Sequence, residues 1–269
     1  MKSFKLPAFY VLLMIIAGLL MGVEALMPLA LGFSLFIPAF SYLATKEIGL
    51  VRTLLLSVIS VGSIVFFGNW KAIFDISAFS LIGILAKLLK GKFKLENLII
   101  ILSLISFGVT VLEDILIGLP EEVKQIPWFS QVRWGIYFLS SIVISTISVG
   151  IISLIAKEDF GFKKLQFGFW VILLFLLSGF LTILKWFPEF RPIGINIFLG
   201  VLGFFVVQGF AIFSYYVERF SFWIKFITFF VIVFFPAIAL IASIVAGIFD
   251  YWFDFRKLKG GEENGSNST

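Results

Sequence analysis

The sequence predicts an all-α protein, a polytopic transmembrane helical bundle of eight or nine spans. Three observations lead there. Of 269 residues, 61% are hydrophobic and 14% charged, with 36 phenylalanines, well beyond the apolar share of about 45–50% found in ordinary soluble domains. The apolar residues come in successive blocks of about 17 to 24, the length a helix needs to cross a hydrocarbon layer of about 30 Å. Those blocks are continuous, whereas the strands of a membrane β-barrel alternate apolar and polar residues.

In chain order the candidate spans are residues 9–27, 29–45, 48–67, 72–89, 97–119, 134–156, 168–187, 193–217 and 226–249. The first follows Lys2 and Lys5. It resembles a signal peptide, but its apolar run exceeds the usual 7 to 15 residues and further spans follow at once, so it reads as a first span. The second and fourth are short enough to be tilted, re-entrant or interfacial. Pro38 and Pro236 lie inside apolar runs and mark places where a helix kinks or breaks. All seven tryptophans, from Trp70 to Trp252, fall at or near span ends, where amphipathic rings favour the headgroup region. They call for neither a cofactor nor a nucleic acid.

The expected organisation is a six-span bundle over 1–156, a two- or three-span region over 157–259 with a basic interfacial tail, and a flexible polar tail over 260–269. Placing the N-terminus in the cytoplasm puts 13 basic residues on the inner side and 8 on the outer, the sense of the positive-inside rule. The cluster Arg256, Lys257 and Lys259 falls outside in a nine-span chain. If one assigned span does not cross, eight remain and both termini are cytoplasmic.

The chain contains neither cysteine nor histidine, which removes disulfides, thiol nucleophiles, the usual zinc and haem ligands and the usual base of a serine hydrolase. No phosphate-binding GxxxxGK[ST] loop occurs. The expectation is therefore a protein that is not an enzyme and carries no cofactor or metal. Carboxylates are its main titratable chemistry.

Those carboxylates are unevenly placed. In "SFGVTVLEDILIGLP", Glu113 and Asp114 end a stripe begun by Ser103, Ser106 and Thr110, all within an arc of about 100° on a helix. Ser141, Ser145 and Ser148 share a face of the next span. Glu24 and Asp75 fall in the same outer third of the bilayer. One reading is close helix packing through small and hydroxyl residues, with the acids at the helix boundary. The other is an outward-facing polar cavity that holds a proton, a cation or a solute bearing a positive group. Asn196 and Gln208, inside the eighth span, are expected to bond a neighbouring helix. Gly18 and Gly22, continued by Ala25, form a small face suited to close contact within the chain or with a partner. Asp250, Asp254 and Arg256 read as a stop after the last span or as a docking site.

The end of the chain, "GIFDYWFDFRKLK", preceded by "NIFLGVLGFFVVQGFAIFSYYVERF", resembles the YybS-like membrane proteins of bacteria, a family defined by a domain of unknown function. That resemblance implies a multi-span protein of the bacterial inner membrane and supplies no catalytic residues. "LMPLALGFSLFIPAFSYLATKEIGLVRTLLLSVIS" looks like the opening of the substrate-binding subunits of energy-coupling-factor importers, whose partners are an ATPase and a coupling subunit. The functional expectation is a transporter or solute-binding membrane subunit. Its alternative is a scaffold binding envelope, division or sporulation proteins. The lipid bilayer is the partner in either case.

Overall fold

A computed structural model describes residues 5–119, 121–184, 189–217, 219, 221, 223–224 and 236–256. Among them the protein is helical, without strands, with one isolated bridge between Lys90 and Phe93. The helices are α1 (Lys5–Leu20), α2 (Met27–Ser34), α3 (Ile37–Ile48), α4 (Leu50–Phe66), α5 (Ala72–Leu89), α6 (Leu95–Leu116), α7 (Glu121–Lys124), α8 (Phe129–Ala156), α9 (Trp170–Ile183), α10 (Phe190–Val217) and α11 (Pro236–Phe253).

Four of these, α5, α6, α8 and α10, are long and apolar enough to cross a membrane, and α2 with α3 makes a fifth if a pair bent by 41° counts as one broken span. The protein is thus a membrane-embedded helical protein with four or five span-length elements among the described residues, fewer than the eight or nine expected. The shortfall has local causes. Continuous apolar composition does not reveal where the backbone turns. The first expected span stops at Leu20, before a 3₁₀ turn at Glu24–Leu26. The second is broken at Leu35 and Phe36, with Pro38 in the first turn of α3, where its missing N–H is harmless. At 1.5 Å per residue α1, α4 and α9 are about 21 to 26 Å long. Most of the first half of the expected 226–249 span lies outside the described residues.

The chain forms two compact units, Met1–Pro127 with Ile144–Phe160, and Trp128–Val143 with Gly161–Thr269. The first half of α8 therefore belongs to the second unit and its second half to the first.

In the first unit α1 packs on α2, α3, α4 and α5, and α5 packs on α3, α4 and α6. Tyr10, Met14, Ala17, Ile37, Ile64, Ile76 and Phe79 form the buried apolar centre. Within it the Tyr10 hydroxyl lies 2.7 Å from Ser57 Oγ and 2.6 Å from Ser80 Oγ, which are 3.1 Å apart. This triangle of hydroxyls ties α1, α4 and α5 together and keeps all three polar groups satisfied in an apolar setting. Helix contact depends on missing side chains. A Cβ on Gly83 would overlap the Pro38 carbonyl and Ser41 Oγ, so only glycine lets α5 approach α3 this closely.

In the second unit α9 and α10 form an antiparallel pair, with Trp170 against Phe204 at one end and Gly194 against Leu181 and Thr182 at the other. α11 lies on α10 with Gly209 under Ser243 and Gly247 under Phe205. Many large apolar side chains point outward, including Val58, Phe66, Leu154, Leu176 and Ile183. In water that exposure would be a liability; facing hydrocarbon it is the expected arrangement.

Candidate functional site

Among the described residues, two centres built on charged side chains lie at the helices. The first is the acidic end of the α5–α6 pair. Asp75 sits in the first turn of α5, and Glu113 and Asp114 in the last turn of α6. Because α5 and α6 pack against each other, these turns meet, and Glu113 lies within electrostatic range of both Asp75 and Asp114. Glu113 and Asp114 are half-buried, whereas Asp75 is exposed at the edge of the unit. Among the described residues no three Asp or Glu side chains are grouped so as to hold a metal ion.

The other members of the expected site are placed differently. Glu24 is exposed in the 3₁₀ turn after α1. Ser103 and Ser106 are buried. The Ser103 hydroxyl donates to the Ile99 carbonyl at 2.6 Å and that of Thr110 to the Ser106 carbonyl at 3.2 Å. Both hydroxyls thus donate to their own helix, a common habit of serine and threonine in membrane helices.

Gly18 and Gly22 make their close contact inside the chain. Gly18 lies under Ile64 of α4, and the Asn69 amide donates to the Gly18 carbonyl. Gly22 lies beside Asn69, whereas Ala25 is exposed beyond the end of α1 and does not continue the face.

The second polar centre is built on Asp250 and Arg256, for which the sequence allows either a stop after the last span or a docking site. Asp250 and Arg256 are buried and paired at 2.8 Å through Oδ2 and Nη2. Gln208 of α10 donates to the same carboxylate oxygen at 3.1 Å, and the Phe255 N–H donates to Oδ1 at 3.0 Å. Arg256 Nη1 also donates to the Lys163 carbonyl at 3.2 Å, and Gln208 Oε1 accepts the Phe167 N–H at 3.3 Å. Residues 163–167 are thus fastened to α10 and to the end of α11 by buried side chains. Six positions separate Asp250 from Arg256, too far for helical neighbours. The chain leaves the helix at Asp254, at φ 41°, and turns Arg256 back onto Asp250. Asp254 itself is half-buried. Asp250 and Arg256 are therefore internal, not a surface offered to a partner.

The pairing also bears on sidedness. The Lys163 carbonyl and the Arg256 guanidinium share a hydrogen bond, so they cannot lie on opposite faces of a membrane. A nine-span chain with an external tail is incompatible with this contact.

A third cluster was not foreseen. Glu158, just beyond α8, accepts Lys46 of α3 at 2.8 Å and also pairs with Lys90 at the end of α5. Hydrogen bonds from Lys46 and Lys90 hold its carboxyl well below the usual range, at about 2. Ser153 Oγ bonds the Glu158 carbonyl at 2.6 Å and fixes the turn that presents it. The available signal was weak: Glu158 stands next to Asp159 in an expected inner loop, and nothing local marks it apart from the other acids there.

Asn196 behaves as the sequence suggested. Its Nδ2 donates to the Gln131 and Pro192 carbonyls at 2.6 and 2.7 Å, and its Oδ1 accepts the Gly135 N–H at 2.7 Å. It pins α10 to α8.

Compared with protein-family models, with curated proteins and with solved structures, the chain finds no match.

Proposed function

We propose that this chain is a transporter, or the solute-binding membrane subunit of one, that recognises a solute bearing a positive group at the acidic end of α5 and α6. The observation that carries the reading is the meeting of Asp75 with Glu113 and Asp114 at the ends of two span-length apolar helices. Carboxylates inside a hydrocarbon boundary are expensive, and several at one place favour a positive partner. The bent α2–α3 pair supports the same reading, because discontinuous helices are a recurrent element of transporter sites. The scaffold alternative has less support, since Gly18 is covered by Ile64 and the Asp250–Arg256 pair is internal.

The chain performs no catalysis in this proposal. Transport is driven by a separate ATPase with its coupling subunit or by an ion gradient. It sits in a bacterial inner membrane in the manner of the YybS-like proteins it resembles, with eight crossings and both termini cytoplasmic. The shorter apolar helices contribute crossings together with their flanking residues. Moving the three basic residues of the tail to the inner side changes the count of basic residues from 13 against 8 to 16 against 5, which strengthens the charge bias of a cytoplasmic N-terminus.

The experiment is a thermal-shift titration of the full chain in detergent with ethylamine, guanidinium, choline and spermidine. Stabilisation by one of these amines, lost in Asp75→Asn/Glu113→Gln/Asp114→Asn while the melting temperature without amine is retained, supports the proposal. An equal response of wild type and variant to every amine overturns it.

A further inference from the structure

We infer that the cleft between the starts of α8 and α10 is a site for the headgroup of one anionic phospholipid. The cleft has a volume of about 410 Å³, within the range of small-molecule sites. α8 contributes Ser130, Gln131 and Trp134, and α10 contributes Pro192, Ile193 and Ile197. Asn196 forms its floor, held in place by its two hydrogen bonds to Gln131 and Gly135 of α8 and by a third to Pro192 of its own helix. The cleft is therefore fixed by structure rather than left by loose packing.

Its lining is mainly apolar, with the Ser130 hydroxyl and the Gln131 amide as polar groups. Such a lining suits a molecule that has both an apolar stem and a polar end. Ile193 and Ile197 remain exposed on the outer side, continuous with the face that meets hydrocarbon, so an acyl chain can leave the cleft along α10. Trp134 belongs to the belt of tryptophans at the span ends, which places the cleft at headgroup depth.

Charge selects the headgroup. The Arg133 guanidinium lies 4.3 Å from the centre of the ring of Trp134, which lines the cleft, in a cation–π contact. Arg191 is exposed in the first turn of α10, next to Pro192. Over residues 128–143 and 189–200, the stretches that build this end, two arginines face a single acid, Glu189. Guanidinium groups beside an interfacial cleft match a phosphate that carries a net negative charge, whereas a zwitterionic headgroup brings its own cation and gains less. The inference depends on the membrane embedding of the chain and not on the acidic end of α5 and α6, so failure of either proposal leaves the other standing.

The test uses the full chain purified in detergent and equilibrated with equal amounts of dioleoylphosphatidylglycerol and dioleoylphosphatidylcholine. Bound lipid is read by native mass spectrometry. Wild type is expected to retain phosphatidylglycerol about tenfold over phosphatidylcholine, and Arg133→Gln/Arg191→Gln to retain the two nearly equally. A second measurement does not depend on that variant folding. A photoreactive residue in place of Ile193 should crosslink phosphatidylglycerol in preference to phosphatidylcholine, and one in place of Leu173, exposed on α9, should show no preference. Equal retention of both lipids by wild type, an unchanged preference in the double variant, or crosslinking without preference at Ile193 would each overturn the inference. So would full displacement of the lipid by an equal concentration of inorganic phosphate, which would make the cleft a site for the free anion.

Discussion

Arg256 and Asp250 form an ion pair 2.8 Å long with neither side chain exposed, although both lie where the chain leaves its last described helix. Removing one partner strands a buried charge, which typically costs about 3–5 kcal/mol, whereas replacing both loses much less. Arg256→Ala and Asp250→Ala are each expected to lower the melting temperature strongly in detergent, and Asp250→Asn/Arg256→Gln to lower it less than either. Asp254→Gly should be nearly neutral, because its left-handed conformation suits glycine. Thermal unfolding of the four variants and the wild type checks this. A double replacement worse than both single ones would contradict the pairing.

The bond from Arg256 to the Lys163 carbonyl predicts that reporter fusions after Lys164 and at Lys259 report the same side of the membrane. Fusions that report opposite sides would show that the contact does not form in the membrane.

Glu158 predicts an acid-dependent component of stability. Its carboxyl sits at about 2 in the folded protein against an ordinary value of 4.5. A depressed carboxyl stabilises the fold at pH values above its ordinary value, and that contribution fades as pH falls from about 4.5 toward 2. The difference in melting temperature between wild type and Glu158→Gln should therefore be constant above that window and shrink to zero through it. High salt should reduce the difference as well, since about half of the Lys46 side chain is exposed. A difference independent of pH would assign Glu158 a packing role only.

Gly83 and Gly32 make a matched pair. A Cβ on Gly83 meets the Pro38 carbonyl, whereas one on Gly32 meets nothing within 4 Å. Gly83→Ala should destabilise by about 1–3 kcal/mol through overpacking of α5 on α3. Gly32→Ala should be neutral or add about 0.5–1 kcal/mol of helix propensity. Equal effects in thermal unfolding would remove the case for close approach at Gly83.

The sequence by itself determined the solvent of this protein and its class. An apolar content of 61% in span-length blocks leaves only helices that satisfy their own backbone in lipid, and the described residues are helical. Local chemistry was legible as well. Asn196 bonds a neighbouring helix, Pro38 marks a break, and the acids at the start of α5 and the end of α6 fall at one end because two consecutive helices joined by a short turn must run back along each other.

Only the tertiary structure decided the rest. In hydrocarbon the outward and inward faces of a helix are both apolar, so the pattern carries little information about rotation, and contact is set by where glycine permits approach, as at Gly18 and Gly83. Glu158 pairs with Lys46 across 112 positions and with Lys90 across 68, distances over which no local periodicity operates. Asp250 and Arg256 looked like a surface because a charged block after an apolar run ordinarily meets water. The turn at Asp254 and the amide of Gln208 draw that block inward, because a buried charge is tolerated once an opposite charge and hydrogen-bond donors surround it.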